Sequence, residues 1–327
     1  MSTARHVIAL LKSYLEGEEH QFFSVALQMA AHEARQGHTK VAKDIQSLID
    51  KAKERQSVIE RQASPLPLVQ PKGELLNLVS VRDSDTRLSD MVLPPILEQR
   101  LKRILLEQIK RSRLAEYNLK PRRKILLVGV PGSGKSMTAA ALAGELKLPL
   151  FTVMYTGLIT KFMGETANQL KLIFDAMLVT RGVYFFDEFD AIGSQRSSNN
   201  DVGEIRRILN SFLQLLDSDN SQSLIIAATN HVELLDKALF RRFDDVIEYD
   251  LPSAEVVCKL LKTRLAYFRI QWENWQHIIE AAEGLSQAEL VTAADEAAKV
   301  AVLSDRDSIS EETMISAILE RKSTIFK

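Results

Sequence analysis

Cysteine is almost missing. The chain of 327 residues holds one, Cys258, which excludes an intrachain disulfide and fits a reducing compartment, with the thiol as a small core filler. An excess of either charge is missing too. The 42 Lys and Arg stand against 43 Asp and Glu, so no global basic field points to nucleic acid or an anionic membrane, although a local basic patch stays open. No apolar stretch approaches the roughly 20 residues needed to cross a bilayer. The first thirty residues mix charged and apolar groups, as in His6 to Leu15, without the apolar run or small-residue cleavage site of a secretory signal. No internal repeat or low-complexity tract stands out. These absences lead to the expectation of a soluble, cytoplasmic protein, and the length of 327 residues to that of about two domains, each able to bury its own core.

What is present divides the chain. Residues 1–62 carry apolar groups at helical spacing in three short stretches: Val7, Leu10, Leu11, Leu15; Phe22, Val25, Ala26, Met29; Val41, Ile45, Leu48, Ile49. Breaks at Gly17 and Gly37 predict a small helical bundle. The stretch "ASPLPLVQPKG", 63–73, with three prolines, cannot continue a helix and opens a linker taken to residue 84. A helix is then expected from Pro95 to Tyr117. Apolar runs follow at Lys124 to Val128, Leu150 to Met154, Val183 to Phe186 and Leu224 to Ala228, separated by helical segments. Strands alternating with helices predict an α/β body, a parallel sheet with helices on both faces, over 85–251. Residues 252–327 read as all-helical, with Ser310 as N-cap ahead of Glu311 and Glu312, acids that suit a helix N-terminus.

"GVPGSGKS", 129–136, fits the phosphate-loop pattern and sits where it must, after a strand and before a helix. The glycines let backbone N–H groups turn inward around phosphates, so the nucleotide contacts are placed on Pro131, Gly132, Ser133, Gly134, Lys135, Ser136 and Met137. Lys135 supplies charge to the terminal phosphates and Ser136 a hydroxyl to Mg²⁺. "VYFFDEFD", 183–190, is an apolar strand ending in two carboxylates, and ligands collect at the carboxyl ends of parallel strands. Asp187 is expected to hold Mg²⁺ through water and Glu188 to polarise the attacking water. "IIAATN", 225–230, ends in Asn230, either a γ-phosphate or water ligand or an ordinary turn former. Arg241 and Arg242, side by side after that strand, either make surface salt bridges or reach a neighbouring subunit's γ-phosphate.

With these motifs in order the sequence resembles the AAA ATPase superfamily, in particular the clade of FtsH, katanin, spastin and the proteasomal ATPases, over roughly residues 85–325. The resemblance implies a phosphate-loop NTPase domain with a helical lid, ATP and Mg²⁺ as nucleotide and cofactor, and a homo-oligomeric ring, a hexamer. The family's Arg-Pro-Gly-Arg-Phe-Asp is shortened to Arg241-Arg242-Phe243-Asp244, which leaves open which arginine touches phosphate. "GLSQAEL", 284–290, is similar to the lid motif Gly-x-Ser-Gly-Ala-Asp-Leu, with Ala288 where other branches carry a sensor arginine. By resemblance the adenine pocket lies near Met91 and Val92, in a segment that departs from the usual Asp-Val-Gly-Gly.

"KFMGET", 161–166, matches the family's pore loop Lys-Tyr-Val-Gly-Glu-Ser, so Lys161, Phe162, Met163 and Gly164 are expected to grip an extended polypeptide in the ring's channel. An aromatic grips without sequence preference, through large area and little rotamer entropy. "GSQRSSNNDVGE", 193–204, is either a second channel loop or a mobile surface loop. The implied activity is threading, unfolding or remodelling of protein, with a separate protease as a possible partner and the N-terminal bundle as adaptor or buttress. A nucleic-acid motor or loader and a scaffold without turnover are the competing classes; the near-neutral charge balance and the pore loop argue against the first, and the retained Glu188 and arginine pair against the second. "HEARQ" at His32 has Gln36 where a zinc motif needs its second histidine, so no protease site is expected in the chain.

Overall fold

The computed structural model describes residues 73–154, 165–189, 201–232 and 237–325, all within the second of two units into which the chain divides, Leu68–Lys327. The expected bundle over 1–62, the loop residues Lys161 to Gly164 and most of 193–204 lie outside the described residues.

The body is built from β1 (Val79–Arg82), α1 (Pro95–Ile109), α2 (Arg111–Glu116), β2 (Lys124–Gly129), α3 (Lys135–Leu146), β3 (Leu150–Val153), α4 (Glu165–Val179), β4 (Val183–Phe186), α5 (Asp201–Ser218), β5 (Leu224–Thr229), α6 (Lys237–Phe240) and β6 (Asp245–Tyr249). The six strands form one sheet in the order β1-β3-β4-β5-β2-β6. All neighbours are parallel except β1, which runs antiparallel to β3. The strands β2, β4 and β5 are unbroken apolar runs because helices cover both faces of the sheet. Alternate residues therefore enter different cores: Leu126, Tyr184, Phe186 and Ile225 face one side, and Ile125, Val183, Phe185 and Ile226 the other.

Three details differ from the sequence-based expectations. The helix expected from Pro95 to Tyr117 is broken at Lys110. The break turns the chain back toward β2, where the Glu107 carboxylate accepts from the Arg122 amide at 3.0 Å and the buried Gln108 donates to the Arg122 carbonyl at 2.6 Å. Two edge strands, β1 and β6, join the four expected ones, β1 arising inside the stretch read as linker. The C-terminal part is not wholly helical either. Between α7 (Ala254–Arg264), α8 (Gln276–Ala282), α9 (Gln287–Leu303) and α10 (Glu311–Ile325), two short strands, β7 (Arg269–Ile270) and β8 (Ser308–Ile309), pair in parallel. Two residues per strand are too few to leave an alternation in the sequence.

The lid has its own core, in which Leu261, Ile278, Leu290 and Met314 pack together and Val92 enters from the body. Three of its four helices, α7, α9 and α10, start on serine caps: Ser253 accepts from the Val256 amide at 3.5 Å, Ser286 from Glu289 at 3.4 Å, and Ser310 from Thr313 at 3.2 Å. The last of these is the cap expected from the sequence.

Candidate active site

A cleft of about 800 Å³ lies between the carboxyl ends of β2, β4 and β5 and the lid. The phosphate loop forms its floor. Gly129, Gly132 and Gly134 all take positive φ, at 148°, 73° and 101°, conformations costly for other residues. Space forbids a side chain as well: a Cβ on Gly129 would meet the Tyr249 carbonyl oxygen at 2.1 Å, and one on Gly132 the Ser286 hydroxyl at 2.5 Å. Gly134 caps α3, whose N-terminus faces the cleft and favours anions there. The Lys135 side chain is buried, 6 % exposed, and its ammonium donates to the carbonyls of Gly129 and Val130, both at 2.8 Å.

The end of β4 supplies the carboxylates. The Ser136 hydroxyl donates to Asp187 at 2.8 Å. Glu188, next in the chain and exposed, has φ 48°, and its amide donates to the Asp187 carboxylate at 3.0 Å. A glutamate in the left-handed region carries roughly 1–3 kcal/mol of backbone strain. Its neighbours hold it there: the Phe189 amide donates to the Ala228 carbonyl at 2.7 Å, and the Phe189 ring is buried with its centroid 4.7 Å from that of Phe212. The turn thus aims the Glu188 carboxylate at the cleft instead of the core.

Of the residues expected at the nucleotide, Met91, Val92, Pro131, Gly132, Gly134, Lys135, Ser136, Met137, Asp187, Glu188, Asn230 and Ala288 all line this cleft. Ser133 does not. It is buried behind the loop, 3.5 Å from the Lys135 ammonium. The lid contributes a wall that the motifs did not reveal, from Leu260, Thr263 and Arg264 at the end of α7 and Tyr267 just beyond it. Arg264 is held by a two-pronged bond to Asp295, at 2.6 and 2.8 Å, while Tyr267 is 98 % exposed at the mouth. No spacing marks these four residues, because only the placement of the lid turns that end of α7 toward the phosphate loop.

The arginine pair stands outside the cleft, between α6 and β6. Arg242 forms an ion pair with Asp217 on α5. Arg241 is exposed and makes no ion pair or hydrogen bond among the described residues. The two aspartates that follow fix the base of this segment. Asp244 accepts from the amides of Arg123 and Lys124 at 2.8 and 2.9 Å, and the largely buried Asp245 receives Arg100 and, at 2.8 Å, Arg122.

Comparison with known proteins gives this geometry relatives. The sequence model described as "ATPase family associated with various cellular activities (AAA)" matches residues 125–251. The AAA family ATPase y4kL of Sinorhizobium fredii is 30% identical over 303 residues, 92% of this chain and 90% of that protein. The proteasome-activating nucleotidase of Methanoculleus marisnigri is 32% identical over 234 residues, 69% of this chain but 57% of its own length. Among solved structures, the crystal structure of the FIGL-1 AAA domain superposes with a TM-score of 0.60 over 78% of this chain and 91% of that one, at 23% identity, a likeness of fold.

Proposed function

The chain belongs to the AAA family of ATPases, and from that premise we propose that it forms a homo-oligomeric ring, a hexamer, that uses ATP hydrolysis to thread, unfold or remodel protein substrates. The observation that carries the hydrolytic part is the Ser136 hydroxyl on Asp187, with Glu188 beside it on the rim of a cleft floored by the phosphate loop. Phosphates would lie against the loop amides, and Lys135 would exchange its carbonyl partners for phosphate oxygens. Ser136 and Asp187 present the hard oxygen donors that suit Mg²⁺ beside phosphate and would hold it; when bound, it neutralises charge on the β- and γ-phosphates. Glu188 would take the proton of the attacking water, with Asn230 positioning that water or the γ-phosphate.

Arg241 is assigned to the nucleotide of the neighbouring subunit, since it is the exposed member of the pair while Arg242 is engaged by Asp217. The grip on protein is assigned to Phe162 and Met163 of the loop 161–164. Residues 1–62 are assigned the role of adaptor for a substrate or a separate protease, those from 63 to the start of β1 that of linker, those from β1 to 251 that of ATPase body, and 252–327 that of lid. The proteasome-activating nucleotidase among the relatives supports action on protein, although this chain spans little more than half of that relative.

The test is a trap. Glu188→Gln, isolated from the native cell with ATP and Mg²⁺, is expected to retain proteins identifiable by mass spectrometry and to lose them when Phe162→Ala is added. Retained nucleic acid, or retention indifferent to Phe162, would reject protein threading.

A further inference from the structure

Tyr249 ends β6 and is 4 % exposed, and its hydroxyl lies 2.6 Å from the hydroxyl of the fully buried Thr138, 111 positions earlier in the chain. Thr138 sits in the first turn of α3. Its oxygen is 3.1 Å from the Gly134 carbonyl and 3.9 Å from the Met91 sulfur. A hydroxyl has one proton to give. The carbonyl is the nearer and stronger acceptor, so Thr138 donates to Gly134 and Tyr249 donates to Thr138. Burial pushes the Tyr249 phenol well above its ordinary pKa, which keeps it a donor. The result is a directed chain from Tyr249 through Thr138 to Gly134, and hydrogen bonds in such chains strengthen one another.

The carbonyl at the end of this chain belongs to the peptide unit joining Gly134 to Lys135. It also accepts from the Thr138 amide at 2.9 Å, the first bond of the helix. A trans peptide is planar, with C=O and N–H pointing in opposite directions. Holding the Gly134 carbonyl down the helix axis therefore turns the Lys135 N–H out of the helix end, toward the phosphate side of the loop. Gly134 itself, at φ 101°, has no side chain to restrict this plane. Tyr249 is well placed to act as the fixed point, because its backbone is paired with Gly129 across β2 and β6, at the root of the same loop.

We propose that Tyr249 is a positioning residue for phosphate binding: acting through Thr138, it fixes the Gly134–Lys135 peptide plane and so the Lys135 amide that meets the β-phosphate. The inference rests on the reading of residues 131–136 as the ATP phosphate site.

The experiment measures binding of ATP, ADP and AMP to the full chain by calorimetry, for wild type, Tyr249→Phe, Thr138→Ser, Thr138→Val and the double variant Tyr249→Phe/Thr138→Val. Loss of one buried hydrogen bond is expected to weaken ATP and ADP by about five-fold, while AMP, which has no β-phosphate, binds Tyr249→Phe as it binds wild type. Thr138→Ser keeps the hydroxyl and should match wild type, and Tyr249→Phe should add nothing once Thr138 is valine. Unchanged ATP affinity in Tyr249→Phe would overturn the inference alone. So would an equal loss for all three nucleotides with a lowered Tm, which marks general loosening. A wild type that binds no nucleotide would overturn the phosphate-site reading, and this inference with it.

Discussion

The amide of Ala288, in the first turn of α9, donates to the carbonyl of Gly132 in the phosphate loop at 3.0 Å. The lid therefore rests directly on the loop that is to hold phosphates, and the contact is so close that Gly132 has no room for a methyl group. Any displacement of one is felt by the other. This gives a short path by which nucleotide occupancy could bias the lid.

Gly132→Ala should disrupt that contact. Its Cβ would stand 2.5 Å from the Ser286 hydroxyl and 2.9 Å from the Ala288 Cβ, at a φ of 73° that alanine resists. Strain at such a site costs on the order of 1–3 kcal/mol, so ATP affinity should fall about ten-fold or more. Calorimetric titration of the variant checks this, and near-wild-type affinity would mean that the lid can lift from the loop at little cost.

Glu188→Gln keeps the size of the side chain and leaves Lys135, Ser136 and Asp187 in place. ATP affinity should be little changed, while turnover falls by at least about 100-fold, the scale of lost general-base assistance. Paired measurements of binding and phosphate release separate the two effects. A parallel fall in both would mean that Glu188 serves binding and not the attack of water.

Asp245→Ala should act on stability first. Its carboxylate is largely buried and bonded to Arg100 and Arg122, and removing it leaves Arg122, itself mostly covered, with only the Glu107 carboxylate. Breaking a buried pair costs about 3–5 kcal/mol, and less here because Arg100 is partly exposed. A fall in the denaturant midpoint of roughly 2–3 kcal/mol equivalent is expected. A change within experimental error would show that the pair contributes little beyond orientation.

The legible parts of this molecule share a physical cause. The strands β2, β4 and β5 are buried on both faces, so they stand out as apolar runs, and the residues of the phosphate-loop pattern are contiguous because a single turn has to be able to wrap one anion. The edge strands were not legible: Val79-Ser80-Val81-Arg82 alternates apolar with polar groups, Asp245 to Tyr249 is interrupted by Asp245 and Glu248, and each has a neighbour on one side only, so neither stands out as an apolar run. Thr138 and Tyr249 gave no local signal, since each is an ordinary residue of its element until the sheet order brings β6 beside β2. The same holds for Arg264 and Tyr267, whose place in the cleft wall follows from where the lid sits. The arginine pair was legible as a pair, but the engagement of Arg242 alone was not, because Asp217 lies 25 positions before it, on α5.

The difference between the two arginines makes the last prediction. If Arg242 serves the fold and Arg241 a neighbour's nucleotide, the two alanine variants should fail differently. Arg242→Ala should lower stability modestly, by about 1 kcal/mol or less because the pair is partly exposed, and Asp217→Asn should reproduce the effect. Arg241→Ala should leave the Tm unchanged and lower turnover by about 10³-fold, the lower end for an arginine supplied in trans. Its decisive property is complementation. A subunit with Arg241→Ala still has Glu188, and a subunit with Glu188→Gln still has Arg241, so mixing the two inactive variants creates interfaces where an intact Glu188 meets an intact Arg241. Partial recovery of ATPase activity on mixing requires that the arginine act across a subunit boundary. If no activity returns although native mass spectrometry shows mixed oligomers, Arg241 acts within its own subunit or not on nucleotide at all, and the assignment between the two arginines must be reversed or abandoned.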